Sequence, residues 1–251
     1  MRRKSVIGHL VFIYTFLALV IYQTDFFVRV GNGLGIDLSP EITQGFSIMM
    51  KYHERIDPNV PKGAAIFIGD SLTQGLCVDA VFTPSVNYGI GSDTTHGVLK
   101  RIPKYKSLDR ASIVIIEVGV NDLRRRNNEE ILSNYSSILN LLPAHLPVII
   151  SGVLPVNEDL ANNATSHNVR IRELNSRLET LCESRKPLCT FVDSGRSLMD
   201  SSGNLSNRYQ DGDGLHLNGE GNGVWIQELK NGIETAQQRC AFDRKSAPAA
   251  K

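Results

Sequence analysis

The stretch Ile66-Phe67-Ile68-Gly69-Asp70-Ser71-Leu72-Thr73-Gln74-Gly75 is a short apolar run that stops at Gly-Asp-Ser. Such a run, ended by a turn, reads as a buried strand with a serine at its carboxyl end. In open α/β sheets ligands bind at that edge. A serine there acts as a nucleophile when a base can take its proton and donors can hold the oxyanion it creates.

Outward from this stretch, apolar runs of strand length alternate with amphipathic segments. The runs are Ala65–Ile68, Val86–Tyr88, Ile113–Val118, Val148–Ile150 and Thr190–Val192. Helices are predicted at Thr94–Arg101, Glu129–Leu142, Asn163–Cys182 and Gly221–Cys240. This alternation predicts βαβ units and a parallel sheet with helices on both faces. Upstream, Ser39-Pro40-Glu41 reads as a helix start, and Ile42, Phe46, Met49, Met50 and Ile56 follow at helical spacing. That helix is expected to pack on the domain and to end at Pro58 and Pro61.

The 251 residues carry 27 basic and 26 acidic side chains, for a net charge of +1. That balance offers no footprint for nucleic acid. Hydrophobic content of 41% is ordinary for a globular protein. At the N-terminus, Arg2, Arg3 and Lys4 precede an uncharged run from Ser5 to Thr24. Its apolar centre, Val6 to Tyr22, is near the lower length for a membrane span, and the basic flank keeps the tip in the cytoplasm. No small-x-small cleavage pattern follows it, so an uncleaved anchor is the preferred reading over a cleaved signal peptide or a buried helix. The expected organisation is a tip and anchor at 1–24, a connector with a short helix at 25–62, a catalytic domain at 63–240 and a disordered tail at 241–251. The domain would lie outside the cytoplasm, or be secreted if the leader is cleaved. The four cysteines form no Cys-x-x-Cys pair, which argues against a zinc site. Cys182 and Cys189 bracket a polar turn; a disulfide and two free thiols are both open there.

Of the six histidines, His216 stands apart. It lies in Asp211-Gly212-Asp213-Gly214-Leu215-His216, with Asp213 three residues upstream. In a turn that spacing can bring the carboxylate to the imidazole, fixing its tautomer. A helix-capping connector is the plainer reading, and a calcium loop matches at only Asp211 and Asp213. His53, His96, His145 and His167 read as surface or packing residues. Asn121, in Gly119-Val120-Asn121-Asp122 after a strand, can aim an amide N–H at the Ser71 edge, although the block alone is only a turn. The glycine-rich stretch Asn87 to Thr95 can expose backbone donors.

Taken in order, Gly69-Asp70-Ser71-Leu72, Asn87-Tyr88-Gly89-Ile90-Gly91-Ser92-Asp93-Thr94, Gly119-Val120-Asn121-Asp122 and Asp213-Gly214-Leu215-His216 resemble the SGNH (GDSL) hydrolase family. The resemblance covers about Ala64 to Gln238. It implies a three-layer α/β/α, flavodoxin-like fold and hydrolysis of acyl esters, or sometimes thioesters, without metal or cofactor. It implies Ser71 as nucleophile, His216 as base and Asp213 as its orienting partner. It also implies an oxyanion hole from the Ser71 and Ser92 backbone N–H groups and the Asn121 side chain. One departure is that Ser92 stands where the family has glycine, which strains the backbone if φ is positive there. The second block is similar to that of platelet-activating-factor acetylhydrolase catalytic subunits, which act on short acyl groups.

The reading is therefore a membrane-anchored, extracytoplasmic serine esterase. Its expected substrates are short-chain or O-acetyl esters, carried on a small molecule, glycan or lipid. The alternatives are a lysophospholipase or thioesterase, an acyltransferase, and a non-catalytic relative that binds glycan or serves as a scaffold. Arg124, Arg125 and Arg126 could attract an anionic substrate; a solvated loop is the preferred reading. Asn157 to Thr165 is the expected specificity loop.

Overall fold

The computed structural model describes residues 41–246, apart from 162, 163, 165 and 187, together with residue 9 and residues 11–17. The chain divides into two compact units, Met1–Pro40 and Glu41–Lys251. In the first, residues 11–17 are helical, with Val11, Phe12, Ile13, Tyr14, Phe16 and Leu17 exposed. Among the described residues no helix is long and apolar enough to cross a membrane. Most of the predicted anchor, Ser5 to Thr24, lies outside the described residues.

The second unit contains five parallel strands, in the order β2-β1-β3-β4-β5. These are β1 (Ala65–Gly69), β2 (Ser85–Gly89), β3 (Ile113–Glu117), β4 (Val148–Ser151) and β5 (Cys189–Val192). Every residue of β1, β3 and β4 is buried, as expected of parallel strands covered on both faces. The register pairs Gly69 with Gly89 on one side and with Glu117 on the other. The connection from β1 to β2 runs one way along the sheet, while β3, β4 and β5 follow the other way. With right-handed crossovers this places helices on both faces and puts the topological switch point between β1 and β3.

The helices are α1 (Gln44–Ile56), α2 (Ser71–Gln74), α3 (Thr95–Arg101), α4 (Asn128–Leu141), α5 (His167–Glu183) and α6 (Gly219–Ser246). α4 opens with a capping box: Asn127 Oδ1 accepts from the Glu130 amide, and the Glu130 carboxylate accepts from the Asn127 amide, both at 2.9 Å. α6 is seated by Trp225, a fully buried side chain whose Nε1 donates to Ser151 Oγ at 3.1 Å. Cys182 at the end of α5 and Cys189 at the start of β5 are joined by a disulfide.

Four boundaries differ from expectation, the start of the unit and three helix ends. The compact unit begins at Glu41 rather than at residue 63, because α1 buries Phe46, Met50 and His53 in the core. The cap of α1 is Thr43, whose hydroxyl accepts from the Phe46 amide at 3.0 Å. Glu41 therefore precedes the cap and lies outside the helix. α6 continues to Ser246, so the segment just after Cys240 is helical rather than disordered. α5 starts at His167, later than Asn163, after Ser166 adopts a left-handed conformation at φ 63°.

Candidate active site

The chain can turn tightly after β1 because residue 69 has no side chain. A Cβ at Gly69 would lie 2.1 Å from the Glu117 carbonyl oxygen and 2.1 Å from Thr73 Oγ1. Asp70 then caps α2, its Oδ1 accepting from the Leu72 amide at 3.0 Å. Ser71 is the first residue of α2, at the carboxyl end of β1 and beside the switch point.

His216 reaches Ser71 from 145 residues away. Its Nε2 lies 2.9 Å from Ser71 Oγ, and its Nδ1 lies 2.6 Å from Asp213 Oδ2. The loop is preshaped to do this. Asp213 Oδ1 accepts from the amides of Leu215 and His216, both at 2.9 Å, which folds the carboxylate back under the ring. Bonds from the Asp211 amide to the His216 carbonyl and from the Asn157 amide to the Gly214 carbonyl close the turn. Partial burial raises the Asp213 pKa, but the hydrogen bonds from the His216 ring and from both amides outweigh it and hold the carboxyl below its ordinary value. An ionised carboxylate at Nδ1 leaves Nε2 as the atom able to take the Ser71 proton.

The second and third blocks meet beside this line. Asn121 Nδ2 donates to the Asp93 carbonyl at 3.0 Å, tying the loop after β3 to the loop after β2. Ser92 has φ 61°, so the positive angle that glycine would take freely is borne by a serine.

Residues 67–224 match the family described as GDSL-like Lipase/Acylhydrolase. The chain belongs to this family of carboxylic ester hydrolases. Platelet-activating factor acetylhydrolase IB subunit alpha1 of Bos taurus is 29% identical over 189 residues, covering 69% of this chain and 77% of that one. A GDSL-like lipase from Bacteroides thetaiotaomicron shares the fold at a TM-score of 0.66 and 24% identity, over 74% of this chain and 98% of that one. An acetyl-xylooligosaccharide esterase from Geobacillus Stearmophilus shares it at 0.55 and 15%, over 68% and 95%.

In this GDSL acylhydrolase the loops are held by groups the motifs did not reveal. Arg101 is fully buried. Its Nε donates to Asp93 Oδ2 at 2.8 Å, one terminal nitrogen to the Tyr88 carbonyl at 2.6 Å and Tyr105 Oη at 2.9 Å, and the other to the Gly69 carbonyl at 2.9 Å. One guanidinium thus pins the ends of β1 and β2 and the second block. Asp122 accepts from the Thr95 amide at 2.9 Å and the Thr95 hydroxyl at 2.6 Å. Burial pushes its carboxyl up to about 6, against those hydrogen bonds. Beneath Ser71, burial pushes Asp70 up to about 7, and it pushes Glu117 well above its ordinary value, with Asp70 adding to the effect. Asp70 Oδ2 and both carboxyl oxygens of Glu117 have no hydrogen-bond partner among the described residues. A helical period could have flagged Arg101 on the apolar face of α3; nothing local marks Glu117 in Ile113–Glu117 as more than a strand end.

Arg126 is not set out toward a ligand. Its Nη2 donates to both carboxylate oxygens of Glu41 at 2.6 and 2.8 Å, and its Nη1 approaches Asp122 Oδ1 at 3.3 Å. His53 is a packing residue, as expected. Its Nδ1 lies 2.9 Å from Tyr105 Oη, and burial, with Arg101 adding, pushes it down to about 4, so it is neutral near pH 7. The described part of the 157–165 loop touches the His216 turn: a Cβ at Gly214 would meet the Ala161 amide and the Asn157 carbonyl. Thr165 lies outside the described residues.

Proposed function

We propose that this chain is a serine esterase that hydrolyses short-chain or O-acetyl esters through an acyl-enzyme. The observation that carries this is the line Ser71 Oγ, His216 Nε2, His216 Nδ1, Asp213 Oδ2, with contacts of 2.9 and 2.6 Å. Ser71 Oγ attacks the acyl carbon while its proton passes to His216 Nε2. Asp213 steadies the imidazolium. The tetrahedral oxyanion is held by the Ser71 and Ser92 backbone amides and by Asn121 Nδ2, which has a second hydrogen beyond the one given to Asp93. His216 then protonates the departing alkoxide, and the alcohol leaves. Water attacks the acyl-enzyme with His216 as base, releasing the acid and restoring the Ser71 hydroxyl.

The preference for short acyl groups draws on the acetyl ester named for the bovine relative and for the Geobacillus structure. The proposed location is extracytoplasmic, held by an anchor within residues 1–24. The Arg2-Arg3-Lys4 flank, the apolar run and the Cys182–Cys189 disulfide support it.

The test is turnover of p-nitrophenyl acetate, butyrate, octanoate and palmitate beside Ser71→Ala. Turnover of acetate and butyrate that vanishes in Ser71→Ala is the expected result. Turnover of the long esters alone would replace the short-chain reading with a lysophospholipase or thioesterase. Turnover that survives Ser71→Ala would remove the mechanism.

A further inference from the structure

Glu41 opens the compact unit, far in sequence from every motif of the site, yet it bonds directly to the second block at Thr94 and reaches Asp122 of the third block through Arg126. Its carboxylate accepts from the Thr94 hydroxyl, the cap of α3, and it binds Arg126 through both oxygens at 2.6 and 2.8 Å. Arg126 in turn reaches Asp122 Oδ1 at 3.3 Å, and Asp122 holds the Thr95 amide and hydroxyl. Asn134 Nδ2 adds a bond to the same Thr95 hydroxyl at 2.8 Å. The two carboxylates thus grip Thr94 and Thr95 from either side, with one guanidinium between them. Arg126 and Glu41 are largely shielded, with side-chain exposures of 16% and 21%.

Two residues upstream of Thr94, Ser92 sits at φ 61°. A non-glycine residue stays in that region only where its surroundings dictate it. The grip on Thr94 and Thr95 from Glu41 and Asp122, the Asp93–Arg101 pair and the Asn121 bond to the Asp93 carbonyl supply that constraint. Arg101 is buried in the core. Glu41 is the member set at the start of the unit, where residues 1–40 join it.

We propose that Glu41 and Arg126 form a positioning clamp, which holds Thr94 and Thr95 so that the Ser92 amide stays aimed at the oxyanion. The role assigned to Ser92 rests on the proposed esterase mechanism; the clamp itself does not. An oxyanion donor is used in the transition state more than in the bound ester, so loosening it lowers kcat and spares KM. A residue that served folding alone would change the amount of active protein or its Tm.

The experiment uses the full chain. Amide hydrogen exchange of residues 92–95 is compared in wild type and Glu41→Ala, with kcat and KM for p-nitrophenyl acetate measured on both and in a Ser92→Gly background. The expected result is exchange at 92–95 faster by about tenfold, with strand amides unchanged, because one ion-pair and hydrogen-bond set is removed. The kcat of Glu41→Ala should fall about tenfold at constant KM, and Glu41→Gln, which keeps an acceptor for Thr94, should fall by less. In Ser92→Gly, where positive φ needs no support, Glu41→Ala should cost about threefold or less. Unchanged exchange at 92–95 would overturn the clamp whatever the activity does. An equal kcat loss in the wild-type and Ser92→Gly backgrounds would overturn its action through Ser92. Faster exchange in a protein whose turnover survives Ser71→Ala would leave the clamp standing and remove the esterase mechanism instead.

Discussion

The two sides of the site are built differently. The Asp213–His216 side is a single turn near solvent, with side-chain exposures of 50% and 41%. Its geometry comes from local bonds across three residues. The side carrying Ser92 and Asn121 rests on an ion pair, Arg101–Asp93, of zero exposure, joined to Asp122, Thr95 and Glu41. In the proposed mechanism the exposed side moves a proton, and partial solvation suits a group that must gain and lose charge. The buried side would supply fixed dipoles to the oxyanion, and a dry, crowded setting keeps them from reorganising. Damage to the first side should therefore register in rate, and damage to the second in both rate and stability.

The sharpest break of that contrast is Asp213→Asn. It keeps the shape of the turn but removes the charge at Nδ1, and kcat should fall by about 10³ to 10⁴-fold. Tm should move by no more than about 2 °C, because the group is half exposed. On the buried side, Arg101→Leu leaves Asp93 unpaired and four acceptors short of a donor. The expected cost is about 3–5 kcal/mol, or a Tm about 10 °C lower by calorimetry.

A smaller effect concerns the carboxyl pair under Ser71. Asp70 and Glu117 have pKa values raised in the folded state, so the folded protein holds protons that the unfolded chain has released. Stability from this source is full below the unfolded values near 4 and is lost as pH rises through about 7, the folded value of Asp70. Glu117→Gln should thus raise Tm at pH 8 by about 2–4 °C and flatten the decline between about pH 4 and 8. A Tm that falls at pH 8 would show that the Glu117 charge is compensated. The smallest effect is Ser92→Gly. Relief of the positive φ and the added freedom of the unfolded chain nearly offset one another, so stability should change by less than about 1 kcal/mol in denaturant melts.

The same division governs what can be read from the sequence. The strands are legible because each is an apolar run ended by glycine or a polar turn, and the five runs match β1 to β5 within a residue or two. Ser71, Asp213 and His216 are legible because turn chemistry is local: a Gly-Asp-Ser after a strand and an Asp three residues before a histidine. The strain at Ser92 is legible as a condition, and φ 61° meets it. The clamp and the buried pair are not. Glu41 and Arg126 are 85 residues apart, and Arg126 carries no mark that separates it from Arg124 and Arg125. Ser-Pro-Glu at Ser39 satisfies the cap rules, yet Thr43 satisfies them too, and the rules do not rank the two. Composition sets the end of α6 at Cys240, but it carries no information about whether a helix already running will stop.

The central claim is that Ser71 is activated by His216. It is tested most directly by intact-mass and peptide mass spectrometry after exposure to a fluorophosphonate ester, whose phosphorus is attacked by an activated serine with loss of fluoride. The account predicts one adduct per chain, on the peptide bearing Ser71, absent in Ser71→Ala and formed at least about 10³-fold more slowly in His216→Ala. An adduct that persists in Ser71→Ala, or one that forms as fast without His216, would contradict it.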